Sequence, residues 1–184
     1  MRPRLFVPGW GGSGPEHWQT RWQAQMRGAR RVEMPDWFAP ARGPWLAALD
    51  RAVAAIIRDT GQRPIAIAHS LGCIAVAAWA AEQRVPGLAG ALLVAPSDVE
   101  RADAAAVLRE FGPVPRARLG FPAQVVVSDD DPYVELARAR AFAEAWGAGL
   151  TVVPGAGHLN VASGHGEWPA GLELLRQLAL APAA

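Results

Sequence analysis

The chain contains no lysine: all eighteen of its basic residues are arginine, set against seventeen acidic ones for a net charge of +1. So even a balance leaves no long-range field to gather nucleic acid or an anionic membrane surface. Cysteine is nearly as scarce. Cys73 is the only one, so no internal disulfide can form and the fold makes no demand for an oxidising compartment. The four histidines and the single cysteine fall at no spacing that metal ligation uses, so no metal centre is expected. Long apolar runs are missing too. The stretch behind the basic start Met1-Arg2-Pro3-Arg4 ends at Pro8, too short for a signal-peptide core, and nothing approaches membrane-spanning length. The expected location is therefore cytoplasmic. No internal repeat or low-complexity segment interrupts the chain.

What is present is apolar bulk in short alternating pieces. At 184 residues and 51% hydrophobic, the chain supports one well-buried core and is too short for two ordinary domains, so a single domain over 1–184 is expected. Apolar strand-like runs lie at 4–7, 31–34, 64–68, 91–94, 123–127 and 150–153. The spacing predicts helices over 15–26, 45–58, 71–82, 103–111, 132–146 and 167–180 between them. The first helix takes Pro15 at N1, and 181–184 reads as a frayed tail. Strands that are continuously apolar, rather than alternating, suit a sheet covered on both faces. The class is therefore α/β, with about six mostly parallel strands and helices on both faces.

Ligands of such sheets bind beyond the carboxyl ends of the strands, so the turns there are where chemistry is sought. Ser70 sits in Ala68-His69-Ser70-Leu71-Gly72, between a strand-like run and a helix-like one. A serine on such a strand-turn-helix elbow is held above the sheet edge, and small residues two before and two after it let the two backbones pass closely. Gly72 fits that pattern, and Ala68 departs from it by one methyl. Taken alone, Ser70 could equally be a helix N-cap. Two other turns decide between the readings. Serine needs a base to take its proton and a carboxylate to fix that base's tautomer. Asp131 follows the fifth strand and His158 the sixth, giving the chain order serine, acid, histidine that α/β-hydrolases use. Asp129 and Asp130 compete with Asp131, which is preferred because it begins the next helical stretch and can turn back to the sheet edge. His165 is a weaker alternative to His158, His69 reads as a packing or supporting residue, and His17 lies beyond the first turn.

Two N–H donors must face the developing oxyanion. Leu71 N–H supplies one, and Trp10 N–H, in the loop after the first strand where Gly9 permits the turn, supplies the other. The expected pocket walls are Trp10, Trp37, Pro96 and Leu159. That first loop also supports a rival reading. Gly9-x-Gly11-x-x-Gly14 follows a strand, precedes a helix and is followed about 20 residues on by Glu33, the spacing of a dinucleotide-binding fingerprint. Against it, Pro15 starts a helix where the third glycine should already lie inside one, and Trp10 is bulky where a backbone must approach pyrophosphate. It also leaves Ser70, Asp131 and His158 unexplained, so no cofactor is expected.

The run from Val7 to Trp18, then Pro35-Asp36-Trp37, Ala68-His69-Ser70-Leu71-Gly72, Asp130-Asp131-Pro132-Tyr133 and Gly157-His158-Leu159-Asn160 together resemble the small serine hydrolases related to retinoblastoma-binding protein 9. The resemblance spans nearly the whole chain. It implies a compact single-domain α/β-hydrolase fold with a shortened sheet, a triad of Ser70, Asp131 and His158, and esterase-like or peptidase-like activity on small ester or amide substrates. Length adds a restriction, since 96–122 has no room for a large lid. A shallow pocket for short acyl or aryl groups is expected. The competing class is a non-catalytic binding or scaffold module on the same fold.

Overall fold

A computed structural model describes residues 2–82 and 87–180. Six parallel strands form one sheet in the order β2-β1-β3-β4-β5-β6: β1 (Arg4–Val7), β2 (Arg30–Arg31), β3 (Ile65–His69), β4 (Gly90–Val94), β5 (Ala123–Ser128) and β6 (Gly149–Val153). The chain winds outward from β1 to β2, then returns to the far side of β1 to lay down β3 to β6. The switch in direction falls between β1 and β3, where a crevice opens at the carboxyl ends of the strands.

Strand parity sorts the core into two layers. Leu5, Val7, Ala66, Ala68, Leu93 and Val125 face α2 (Arg42–Thr60), α3 (Leu71–Glu82) and α4 (Leu136–Trp146). Phe6, Ile65, Ile67, Leu92 and Val126 face Trp18 and Trp22 of α1 (Trp18–Gln25) and Leu175 of α5 (Pro169–Leu180). Both faces are therefore dry, which is why the strands read as unbroken apolar runs. Helix α3 is buried from Leu71 to Trp79, wedged between the sheet and α2. Two tryptophans tie α1 to the last third of the chain. Trp18 Nε1 donates to Leu159 O at 2.8 Å, and Trp22 Nε1 to Glu167 O at 2.9 Å.

The structure moves several boundaries. β2 is Arg30–Arg31 rather than 31–34: Val32 N–H still reaches Phe6 O at 2.9 Å, but Pro35 lacks a donor and turns the residue before it out of the ladder. α1 begins at Trp18, not Pro15. Residues 14–17 form a turn, and the N-cap is His17, whose Nδ1 accepts from Gln19 N–H at 3.2 Å. The segment expected as a helix over 103–111 holds a 3-10 helix at Ala106–Phe111, closed off by Gly112 and Pro113 and too short to settle as α. α4 starts at Leu136, so Pro132 lies in the turn ahead of it. The tail 181–184 lies outside the described residues. Among the described residues, no helix is long and apolar enough to cross a membrane.

Candidate active site

Ser70 lies on the turn from β3 to α3 with φ +56°, a left-handed conformation costly for any residue but glycine. Its surroundings enforce that turn. Ser70 N–H donates to Val94 O on the neighbouring strand and Cys73 N–H returns to Ser70 O, both at 2.9 Å. A Cβ on Gly72 would stand 2.3 Å from Val7 O, and one on Gly9 would stand 2.7 Å from Ser70 Cβ. Glycine at both positions lets the β1 loop press against the elbow. Ala68 keeps its methyl fully buried in the core layer beneath α3, so the departure from glycine there is absorbed by packing.

The turns after β3, β5 and β6 bring three side chains into one chain of hydrogen bonds. Ser70 Oγ is 2.9 Å from His158 Nε2, and His158 Nδ1 is 3.0 and 2.9 Å from the two oxygens of Asp131. The carboxylate can only accept, so Nδ1 carries a proton; in the neutral imidazole Nε2 is then the acceptor for the serine hydroxyl. Asp131's side chain is wholly buried and that of His158 is 8% exposed. This is an arrangement in which an imidazole can remove the proton of a hydroxyl while a carboxylate steadies the cation that forms.

The three consecutive aspartates divide the work. Asp129 Oδ1 accepts Gly155 N–H at 2.8 Å, and Asp130 Oδ1 accepts Gly157 N–H at 2.7 Å and the Ser128 hydroxyl at 2.5 Å. Ser128 Oγ in turn accepts Ala156 N–H at 2.8 Å. Together they hold the backbone of the loop that presents His158, while Asp131 alone reaches the imidazole, with Tyr133 N–H on its Oδ1 at 2.9 Å. The Ser128 hydroxyl, then the Gly157 amide, holds the Asp130 carboxyl below the usual carboxylate range.

His69 supports the same loop from the other side. Its Nε2–H donates to His158 O at 2.9 Å, and its ring packs edge-on against that of His17. Burial, then the nearness of His158 and His17, pushes the His69 pKa well down, so the ring is neutral; burial likewise lowers His17 to about 4. His165 is not part of the chain of hydrogen bonds; its Nδ1 lies 3.3 Å from Ser163 Oγ.

A cavity of about 400 Å3 opens over Ser70 and His158. Trp10 lines it, but Trp37, Pro96 and Leu159 do not. Trp37 packs against Trp45 and borders a separate cleft. Leu159 has φ +48°, which turns its side chain into the buried core against Trp18. The wall expected from Pro96 is supplied instead by the residues after it, Ser97, Asp98, Arg101 and Leu108, together with Tyr133. The Leu71 N–H stands at the first turn of α3, 3.2 Å from where a Gly9 Cβ would be, so the backbones of the Trp10 loop and the elbow adjoin. Gly11 and Gly12 N–H are committed to Trp37 O and Gly9 O, which leaves Trp10 as the loop amide between Gly9 and those fixed ends.

Sequence reasoning passed over Ser97, Tyr133 and His17 as cavity residues. Only Tyr133, two beyond Asp131, carried a local signal. The glycine loop does not offer a dinucleotide site: the helix begins four residues after Gly14, and Arg31 beside it is occupied by Gln23, Ser13 O and Thr20. Among the described residues no group of three His, Cys, Asp or Glu side chains could hold a metal ion.

A parallel sheet whose switch point carries a strained serine, with an acid and a histidine on later strand ends, defines a hydrolase of the α/β-hydrolase fold. The serine hydrolase family model matches residues 4–177, and the chain belongs to that family. Among solved structures it is similar to a YdeN-like hydrolase from Pectobacterium atrosepticum, at 29% identity and TM-score 0.83 over 97% of this chain and 91% of that one. The ydeN gene product of B. subtilis shares the fold at 20% identity and TM-score 0.77, over 97% and 99% of the two chains. Est1E from Butyrivibrio proteoclasticus shares it at 17% identity and TM-score 0.68, over 97% and 88%. A search of curated proteins finds no match.

Proposed function

We propose that this hydrolase cleaves small esters through an acyl-enzyme on Ser70, with His158 as general base and then general acid and Asp131 holding the imidazole. The observation that carries the reading is the unbroken contact from Ser70 Oγ to His158 Nε2 to Asp131, at 2.9 Å and 2.9 to 3.0 Å, on a serine held at φ +56°. The hydroxyl loses its proton to Nε2 as Oγ bonds to the substrate carbonyl carbon. The Nε2–H then passes to the leaving oxygen as the carbonyl–leaving-group bond breaks. Water repeats the sequence to release the acid. Leu71 and Trp10 N–H are assigned to the oxyanion, each worth about 10²–10³ in rate.

The cavity sets the substrate. Its volume of about 400 Å3 and its half-exposed Trp10 and Tyr133 favour short acyl or aryl groups over long lipid chains. Amides with small leaving groups remain within its reach. We also read the motifs from Val7 to Asn160 as a kinship to hydrolases related to retinoblastoma-binding protein 9.

A fluorophosphonate probe tests the reading. Labelling of the wild type but not of Ser70→Ala supports it, whereas a folded, unlabelled wild type sinks it and favours a binding module. Turnover of p-nitrophenyl acetate and butyrate should exceed that of the palmitate; the reverse order would break the short-acyl assignment.

A further inference from the structure

Ser97 is the second hydroxyl in the site. Its Oγ lies 2.8 Å from Ser70 Oγ, it is 7% exposed and it lines the cavity. The segment that carries it is fixed at both ends. Ser70 N–H holds Val94 O at 2.9 Å, Ala95 turns at φ +50° with its N–H on Val126 O at 2.8 Å, and Asp98 N–H holds Tyr133 O at 3.0 Å. A hydroxyl mounted this rigidly beside the nucleophile keeps its position while the bond to substrate forms.

The count of protons fixes the direction of the contact. Asp131 takes the His158 Nδ1 proton, so Nε2 accepts, and Ser70 spends its single hydroxyl proton on Nε2. Between the two serines, the only proton left to donate is that of Ser97. Ser97 therefore donates to Ser70 Oγ, the atom that becomes negative as its proton leaves.

We propose that Ser97 is a further catalytic residue, a hydrogen-bond donor to Ser70 Oγ that stabilises the charge on that oxygen whenever it is nucleophile or leaving group. The proposal rests on the acyl-enzyme reading above. During acylation the Ser70 proton moves to His158 and Oγ bonds to the carbonyl carbon, while Ser97 keeps its own proton throughout. In the acyl-enzyme Oγ is an ester oxygen and a poor acceptor, so the contact relaxes. In deacylation the Oγ–carbon bond breaks, the charge returns to Oγ, and Ser97 donates again before His158 returns the proton. A hydrogen bond to a charged oxygen is about twice as strong as one to a neutral oxygen, so the gain falls on the transition states rather than the resting enzyme.

The test is Ser97→Ala, measured by p-nitrophenyl acetate burst and steady-state kinetics and by the rate of fluorophosphonate labelling. About a tenfold fall in both acylation and deacylation is expected, with KM within twofold, from the loss of one charge-assisted donor. Rates within twofold of the wild type, or a loss carried by KM, would overturn the proposal. Should Ser97→Ala fail to fold, Ser97→Cys, near in shape and a weak donor, is read by the same criteria. A wild type that takes no label at all is a failure of the acyl-enzyme reading. A wild type that labels at the rate of Ser97→Ala is a failure of this one.

Discussion

The site has a floor and a wall, and they are built in different ways. The floor consists of the turns after β3, β5 and β6, whose backbone amides and carbonyls are held by hydrogen bonds on either side of Ser70 and His158. The wall is the segment beyond Ser97, which reaches the cavity through Asp98, Arg101 and Leu108 and is tied down mainly by exposed or half-exposed ion pairs. Rigid backbone fixes the floor to the tolerance that proton transfer needs; ion pairs worth little on a surface leave the wall adjustable. Chemistry should therefore respond steeply to changes in the floor and binding gently to changes in the wall.

The steepest response is expected at Asp131. Asp131→Asn keeps the shape but lets the amide donate to Nδ1, which places the imidazole proton on Nε2 and leaves Ser70 without a base. A fall in kcat of about 10³- to 10⁴-fold is expected, as in serine proteases with the same change. The equivalent Asp129→Asn, which alters only a loop amide's partner, should cost far less. Equal losses at 129 and 131 would show that the aspartates are not divided as the hydrogen bonds divide them.

Acid should act through the buried histidines packed beside the floor. Burial, then Arg31 and His158 nearby, lowers His17 from 6.5 to about 4. The folded pKa is below the unfolded one, so the unfolded chain binds more protons between those values. The stability is in full above pH 6.5 and is lost as pH falls towards 4, on the order of 3 kcal/mol over the window. His69 acts with the same sign. Urea midpoints at pH 7 and pH 4.5 measure the loss. His17→Asn keeps an acceptor for the α1 cap and should flatten the slope; an unchanged slope would remove His17 from the account.

A middle-sized effect is expected at Asp130, which touches no reacting atom but fixes Gly157 N–H and the Ser128 hydroxyl. Asp130→Asn exchanges a charged acceptor for a neutral one, weakening those bonds. Loosening of the loop under His158 should lower kcat by about tenfold and leave KM unchanged. A change in KM alone would mean that the loop belongs to binding, not to the floor.

The same division explains what was legible in the sequence. Ser70, Asp131 and His158 could be placed because each lies in the turn that follows an apolar run, and a parallel sheet carries every such turn to one edge. The choice among Asp129, Asp130 and Asp131 was narrowed by chain position, but the tasks of the other two depend on amides 26 and 27 residues away. Ser97 was hidden because its contact is set by the register of β4 beside β3, which a local pattern does not carry. Leu159 was misplaced because a left-handed φ reverses the face a loop residue presents. Pro15 was misplaced as a helix start because His17, a rare cap, holds the first turn through a ring nitrogen.

The gentlest test lies in the wall itself. Arg101 grips Asp103 through Nε and Nη2, at 2.5 and 2.7 Å, and its Nη1 donates to Pro132 O beside Asp131, so one guanidinium joins wall to floor. Its side chain is 35% exposed, where solvent screens such contacts. Arg101→Met keeps the apolar stem against the cavity and removes every one of these bonds. KM for p-nitrophenyl butyrate should rise about two- to fivefold with kcat within twofold, because the wall shifts while the distances of the floor stand. A fall in kcat comparable to that of Asp130→Asn would erase the distinction, since it would mean that proton transfer depends on the wall as well.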